Sequence, residues 1–154
     1  MTDQTTIALI DTNILVYQYD PSDRYKQDRA SQIVDTSHRR GAAISVQVLG
    51  EMYWALVRKI QPRVAPADAS RSVNEYLRSW PVYHLTTDIV SEALRGCERF
   101  QLPYWDSLIW ATAKMNHVPL VISEDFSHGS YLDNVRFLNP FTLDFSFPPP
   151  GADV

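Results

Sequence analysis

Four acidic residues fall at positions from which one site could draw on all of them. Asp11 ends the apolar run Ile7-Ala-Leu-Ile10, and Asp125 comes three residues after Pro119-Leu-Val-Ile122. Glu51 lies on an amphipathic segment, hemmed by Val48, Leu49, Met52, Tyr53 and Leu56, where an ordinary surface glutamate would face the other way. Asp106 stands among Tyr104, Trp105, Leu108 and Ile109 at the start of another helical segment. Each has an ordinary explanation alone: Asp11 as a helix cap, Asp106 as a first-turn acid favoured by the helix dipole, Glu51 and Asp125 as solvated residues. Convergence would change that. Carboxylates gathered in one place are driven towards protonation unless a cation neutralises them. A ligand set made only of oxygen suits Mg2+ or Mn2+ rather than zinc.

Other chemistry finds little support. His38, His84, His117 and His128 show no paired ligand spacing and read as surface or core residues. No motif surrounds Cys97, which reads as structural, and a lone cysteine cannot form an intrachain disulfide. That suits a reducing cytoplasm. No glycine-rich phosphate loop and no serine–histidine arrangement is present.

The elements that must position these acids alternate. Ile7–Ile10 is an unbroken apolar run of the kind found in strands covered on both faces, and Asp11-Thr-Asn13 is a helix-start signal. A helical pattern runs from Ser22 to Arg40 with Ala30, Ile33 and Val34 inward and Gly41 as its stop. Ala42–Ile44 is a second strand, and Ser45 caps the helix whose stripe is Val48, Leu49, Met52, Tyr53, Leu56, Val57 and Ile60. A helix-like segment follows to about Trp80, then a strand at Val82–Leu85 and helices at Thr87–Phe100 and Tyr104–Asn116. Pro119–Ile122 is a fourth strand and Val135–Leu138 a short edge strand after a polar loop. This order predicts an α/β fold: a mostly parallel central sheet with helices on both faces, in three layers. In such sheets ligands bind beyond the carboxyl ends of the strands, where Asp11 and Asp125 fall.

Length and composition fit one domain. The chain has 154 residues, 45% hydrophobic, enough for one core and too few for two ordinary domains. Residues 1–141 read as the domain, and 142–154 as a Pro-rich C-terminal tail of low order. No stretch approaches the roughly 18 apolar residues needed to span a bilayer. The polar start, Met1 to Thr6, does not resemble a secretory signal. A net charge of −4 disfavours a nucleic-acid partner, yet setting aside the four site acids leaves 14 acids against 14 Lys and Arg. A cation bound in the acidic cleft would turn it towards phosphate.

Taken together, Asp11-Thr-Asn13 after an apolar strand, Ser45 followed by Glu51 on a helix, Tyr104-Trp-Asp106-Ser-Leu-Ile, and Val121-Ile-Ser-Glu-Asp125-Phe resemble the PIN domain in order and spacing. Within that family the chain is most similar to the VapC-like toxins of toxin–antitoxin pairs, over about Ile7 to Phe141. The resemblance implies a metal-dependent endoribonuclease, with Asp11, Glu51, Asp106 and Asp125 as its acids and Asn13 and Ser123 as polar supports. Asp125 is preferred over its neighbour Glu124. Asp11 and Asp106 would be the principal Mg2+ or Mn2+ ligands, with Glu51 and Asp125 acting directly or through water, on one metal or two. The resemblance further implies an RNA substrate, a cognate antitoxin and a homodimer.

Basic residues that would guide RNA include Arg24, Lys26, Arg39, Arg40, Arg58, Lys59 and Arg63, and Tyr17, Tyr53, Trp54, Trp105 and Trp110 would stack on bases if exposed. An antitoxin would meet Tyr17, Tyr53, Trp54 or Leu56 near the cleft. The rivals are a non-catalytic PIN-like interaction module and a phosphoacceptor receiver-like domain. The second would need a central strand ending in the phosphorylated Asp and a late Lys, neither of which is evident.

Overall fold

The computed structural model describes residues 5–149. Its strands are β1 (Leu9–Ile10), β2 (Ile44–Ser45), β3 (Val82–Tyr83), β4 (Leu120–Ile122), β5 (Tyr131–Leu132) and β6 (Val135–Leu138). The helices are α1 (Thr12–Tyr17), α2 (Arg24–Arg39), α3 (Val46–Arg58), α4 (Pro66–Ser79), α5 (Thr87–Phe100) and α6 (Tyr104–Met115). β1 pairs with β4, β4 with β6 and β2 with β3, all parallel. A parallel bridge between Leu9 and Ala43 joins the two ladders, so the strands run β3-β2-β1-β4-β6-β5 across one surface. The expected mostly parallel sheet with helices is observed. No helix among the described residues is long and apolar enough to cross a membrane.

Ala8, Leu9, Ile10, Val121 and Ile122 are buried, as unbroken apolar runs in a sheet covered on both faces should be. Ser45 caps α3 by accepting from the Val48 amide at 3.3 Å. Val48, Leu49, Met52, Leu56 and Ile60 are buried along α3, whereas Tyr53 lies on the exposed margin of the stripe. α5 and α6 approach closely because residue 96 is glycine. A Cβ there would meet Ser107 Oγ at 2.3 Å and the Trp110 ring at 2.6 Å. Ser107 Oγ donates to the Ala93 carbonyl at 2.6 Å, which fixes the start of α6 and hence Asp106.

Two expectations change. Val135–Leu138 is not the edge strand: β6 lies between β4 and β5, and the edge is β5. The residues read as a polar loop contain a two-residue hairpin turn, Asp133-Asn134, both at positive φ (43° and 67°), which antiparallel strand twist favours. The chain after Leu138 forms no further helix or strand among the described residues, but residues 142–149 are not of low order. Arg29 Nε donates to the Pro140 carbonyl at 3.0 Å and Arg40 Nη1 to that of Pro148 at 2.8 Å. The two guanidinium groups stand over Phe145 and Phe147, strapping the segment to α2.

Candidate active site

Asp11, Glu51, Asp106 and Asp125 come from four separate parts of the chain and line one cleft of about 530 Å³. Asp11 is only 6% exposed and caps α1. Its Oδ1 accepts from the Thr12 amide at 2.7 Å, and its Oδ2 from Ser123 Oγ at 2.6 Å. Burial raises its pKa to about 7; the Ser123 and Thr12 bonds oppose this, and the charges of Asp125 and Glu51 add to it. Asp106 is likewise raised by burial first and then by Asp125 and Glu51. Asp106 makes no hydrogen bond among the described residues, so its carboxylate is free to face a ligand.

The polar neighbours hold the other two acids. Thr12 Oγ1 donates to Glu51 Oε2 at 3.0 Å, joining α1 to α3. Asn13 Nδ2 donates to Asp125 Oδ2 at 3.0 Å, and Ser123 Oγ accepts from the Asp125 amide at 3.0 Å. Ser123 thus bonds both Asp11 and Asp125, and Asn13 bonds Asp125 and lies within reach of Ser123. Glu124 points elsewhere. It takes an ion pair from Lys26 and a 2.5 Å hydrogen bond from Tyr17, while Phe126 on its far side stacks on Phe137 at 3.9 Å. With its neighbours tied down in this way, Asp125 is the residue of the loop that lines the cleft.

Gln47 and Thr12 were not anticipated. Gln47 is 7% exposed, and its amide donates to Glu51 Oε1 at 2.8 Å and to the Trp105 carbonyl at 3.0 Å. It thus links the helix that carries Glu51 to the one that carries Asp106, and leaves its own Oε1 buried without a partner. A buried glutamine four residues before an inward-facing glutamate is the signal that would have found it. Three of the seven basic candidates are occupied elsewhere: Lys26 with Glu124, Arg39 with Asp35, Arg40 with the C-terminal segment. Lys59 alone among them lines the cleft. Leu56 is fully buried and Trp110 lies in the core, so neither faces a ligand. None of the histidines lines the cleft; His38, for instance, stacks on Trp80 and hydrogen-bonds the Ser79 carbonyl. Cys97 is half-buried on α5, away from it.

The donor set fits a hard cation. It is all oxygen, and two of its acids, Asp11 and Asp106, have their pKa values raised by burial and by the charges of Asp125 and Glu51. Among the described residues no three acids gather closely enough to ligate one ion directly.

Three solved structures share the fold. A toxin–antitoxin complex from Klebsiella pneumoniae is 19% identical, with a TM-score of 0.64 over 87% of this chain and 98% of the other. The sarcin-ricin loop cleaving toxin VapC20 of Mycobacterium tuberculosis is 19% identical, with a TM-score of 0.64 over 84% and 98%. FitAcB from Neisseria gonorrhoeae is 16% identical, with a TM-score of 0.62 over 89% and 100%. No curated protein is significantly similar in sequence. The family model described as PIN domain matches residues 8–130, a span that takes in all four acids of the cleft. The chain belongs to the PIN-domain family.

Proposed function

We propose that this protein is a Mg2+- or Mn2+-dependent endoribonuclease acting in the cytoplasm as the toxin of a VapBC-type pair. The observation that carries the reading is the convergence of four acids from four elements on one cleft, with Asp11 pushed up to about 7. Stability alone would not favour such a cluster, and a titratable group so perturbed inside a cleft marks a site of function. The toxin assignment draws on the solved structures, whose descriptions include a toxin–antitoxin complex and a toxin that cleaves the sarcin-ricin loop.

In this reading Asp11 and Asp106 would hold the metal, with Glu51 and Asp125 contributing directly or through water. A divalent ion there supplies a water of lowered pKa and offsets charge developing on the phosphate. The chain's own residues do the rest. Ser123 and the Thr12 amide keep Asp11 in one orientation, Thr12 and Gln47 hold both oxygens of Glu51, and Asn13 aims Asp125. Glu51 or Asp125 accepts the proton of the attacking water. The water oxygen then bonds to phosphorus as one P–O ester bond breaks, and the departing ribose oxygen takes up a proton from solvent. An antitoxin is the expected protein partner, and a homodimer the expected assembly.

The test is incubation of a panel of structured and unstructured RNAs with the purified protein in Mg2+, Mn2+ and EDTA, beside Asp11→Asn. Metal-dependent cleavage lost in the variant is expected. Cleavage undiminished by EDTA would remove the metal, and no cleavage of any RNA would remove the ribonuclease. Co-expression with the product of the neighbouring small gene should relieve growth arrest and yield a stable complex; harmless expression of an active enzyme alone would end the toxin assignment.

A further inference from the structure

The chain has four tryptophans, and the structure divides them two and two. Trp80 and Trp110 are buried, as such large apolar side chains usually are. Trp54 and Trp105 are each 61% exposed, and both line the acidic cleft. Trp54 follows Glu51 by three residues on α3, about one helical turn along the same wall. Trp105 immediately precedes Asp106, with its carbonyl held by Gln47 and its ring against the edge of Tyr104 at 5.0 Å. Lys59 lines the cleft on the α3 side and makes no salt bridge among the described residues. Acids for a metal-bound phosphate, two indole faces and a free ammonium thus share one cavity.

We propose that Trp54 and Trp105 are base-stacking walls that make the cleft select unpaired nucleotides, with Lys59 taking a neighbouring phosphate. This rests on the ribonuclease reading and assigns to it the residues of this chain that hold unpaired bases. In a duplex both faces of each base are covered by its neighbours, and side chains are left with phosphates and 2′-hydroxyls. A splayed single strand offers the faces themselves, and stacking on an aromatic ring is nearly indifferent to base identity. The cleft mixes apolar residues, Val16, Ala55 and Ile60, with Asn13, Gln47 and the acids; carboxylates able to take a phosphate-bound cation beside two flat rings favour a base joined to a phosphate over a purely apolar protein segment. An apolar surface suited to a protein lies on the other side of α3, where Leu49, Tyr53, Val73 and Leu77 line a separate groove against α4.

The test measures binding and cleavage separately. Tryptophan fluorescence of the full chain is titrated in Ca2+, which an all-oxygen site can hold and which offsets the charge of the acids, with a 12-nucleotide RNA of mixed sequence and with the same RNA annealed to its complement; a gel of each sample checks that no strand is cut. The single strand should quench the fluorescence and bind on the order of ten-fold tighter than the duplex. Trp54→Ala and Trp105→Ala should each weaken single-strand binding about ten-fold, leave duplex binding unmoved, and recover largely as Trp→Phe. Both rings are mostly exposed, so the variants should fold; circular dichroism checks this. Tyr53→Ala, in the other groove, should change nothing. Equal affinity for both RNAs, or alanine variants that bind like wild type, would overturn the proposal. If wild type cuts RNA in Mg2+ while the tryptophan variants bind and cut it as well, stacking fails and the ribonuclease stands. If no RNA is cut but the tryptophan-dependent single-strand preference holds, the nuclease reading fails and stacking survives. Quenching by a co-purified antitoxin but by neither RNA would assign the rings to a protein instead.

Discussion

Two groups of acids stand at opposite edges of the sheet, and burial and neighbours treat them in opposite ways. At the carboxyl ends of β1 and β4, Asp11, Glu51, Asp106 and Asp125 share a cleft in which the acids outnumber the one lysine. Near the hairpin turn that precedes β6, Glu92 and Asp133 are interleaved with Arg95 and Lys114. Arg95 reaches them at 2.5 and 2.9 Å, and Lys114 at 2.5 and 3.0 Å. The second cluster is neutral and its cations hold Glu92 down to about 2, whereas Asp11 in the first is pushed up to about 7. An acid cluster whose charge the protein balances itself ties α5, α6 and the β5–β6 turn together. One whose charge is left unbalanced is available to something from outside. Side-chain type does not separate the two; burial and the count of local cations do.

The comparison breaks most sharply on activity. Asp11→Asn should lower RNA cleavage by on the order of 100-fold or more, with the fold kept, since asparagine caps a helix as well as aspartate does. Glu92→Gln should leave cleavage unchanged. If both substitutions cost activity equally, the two clusters do not differ in the way proposed. Next in size, Asn13→Ala and Thr12→Val remove the donors that orient Asp125 and Glu51 and should reduce cleavage roughly 10- to 100-fold, the range for groups that hold metal ligands. Wild-type rates in both, measured on the same RNA, would make these bonds incidental.

Stability supplies the finer tests. Glu92→Gln should lower the melting temperature by about 2–6 °C, because the pairs are only partly shielded from solvent. The pH dependence separates the clusters by sign. Asp11 titrates higher in the folded state than its ordinary 3.8, so metal-free stability should fall as pH rises from about 4 through 7. Glu92 titrates lower than its ordinary 4.5, so its contribution is present above that value and fades as pH falls towards 2. Melting curves across pH in EDTA should peak between the two limbs. Asp11→Asn should flatten the upper limb alone and Glu92→Gln the lower alone; a variant that flattens both, or neither, would contradict the assignments. Saturating Mg2+ should lift the upper limb in wild type and do little in an Asp11→Asn, Asp106→Asn double variant.

Much of the site was legible because it depends on strand ends. An apolar run that stops at an acid places the acid at a sheet edge, and this held for Asp11 and Asp125. Glu51 was legible because it interrupts an inward stripe. What the pattern concealed came from neighbours distant in sequence. Gln47 is buried because α6 covers it, and Trp54 and Trp105 are exposed because nothing does. Helical spacing says which residues share a face, not which face is covered. The edge strand β5 was hidden by its shortness and by polar residues around it, although Asp133-Asn134 is a usable turn signal. Prolines near the C-terminus pointed to an extended segment, but not to the fit of Phe145 and Phe147 beneath Arg29 of α2 and Arg40 just after it.

The capping role of Asp11 has a bearing on how a cation would arrive. One of its oxygens is engaged by the first amide of α1 and the other by Ser123, so the carboxylate is already immobile when the site is empty of charge partners. If Asp11 is a ligand, as proposed, an ion entering the cleft would meet a carboxylate whose rotamer entropy was surrendered during folding. Exchange would then be set by the ion's own dehydration rather than by movement of the chain, and the helix that Asp11 starts would not have to open for the ion to come or go.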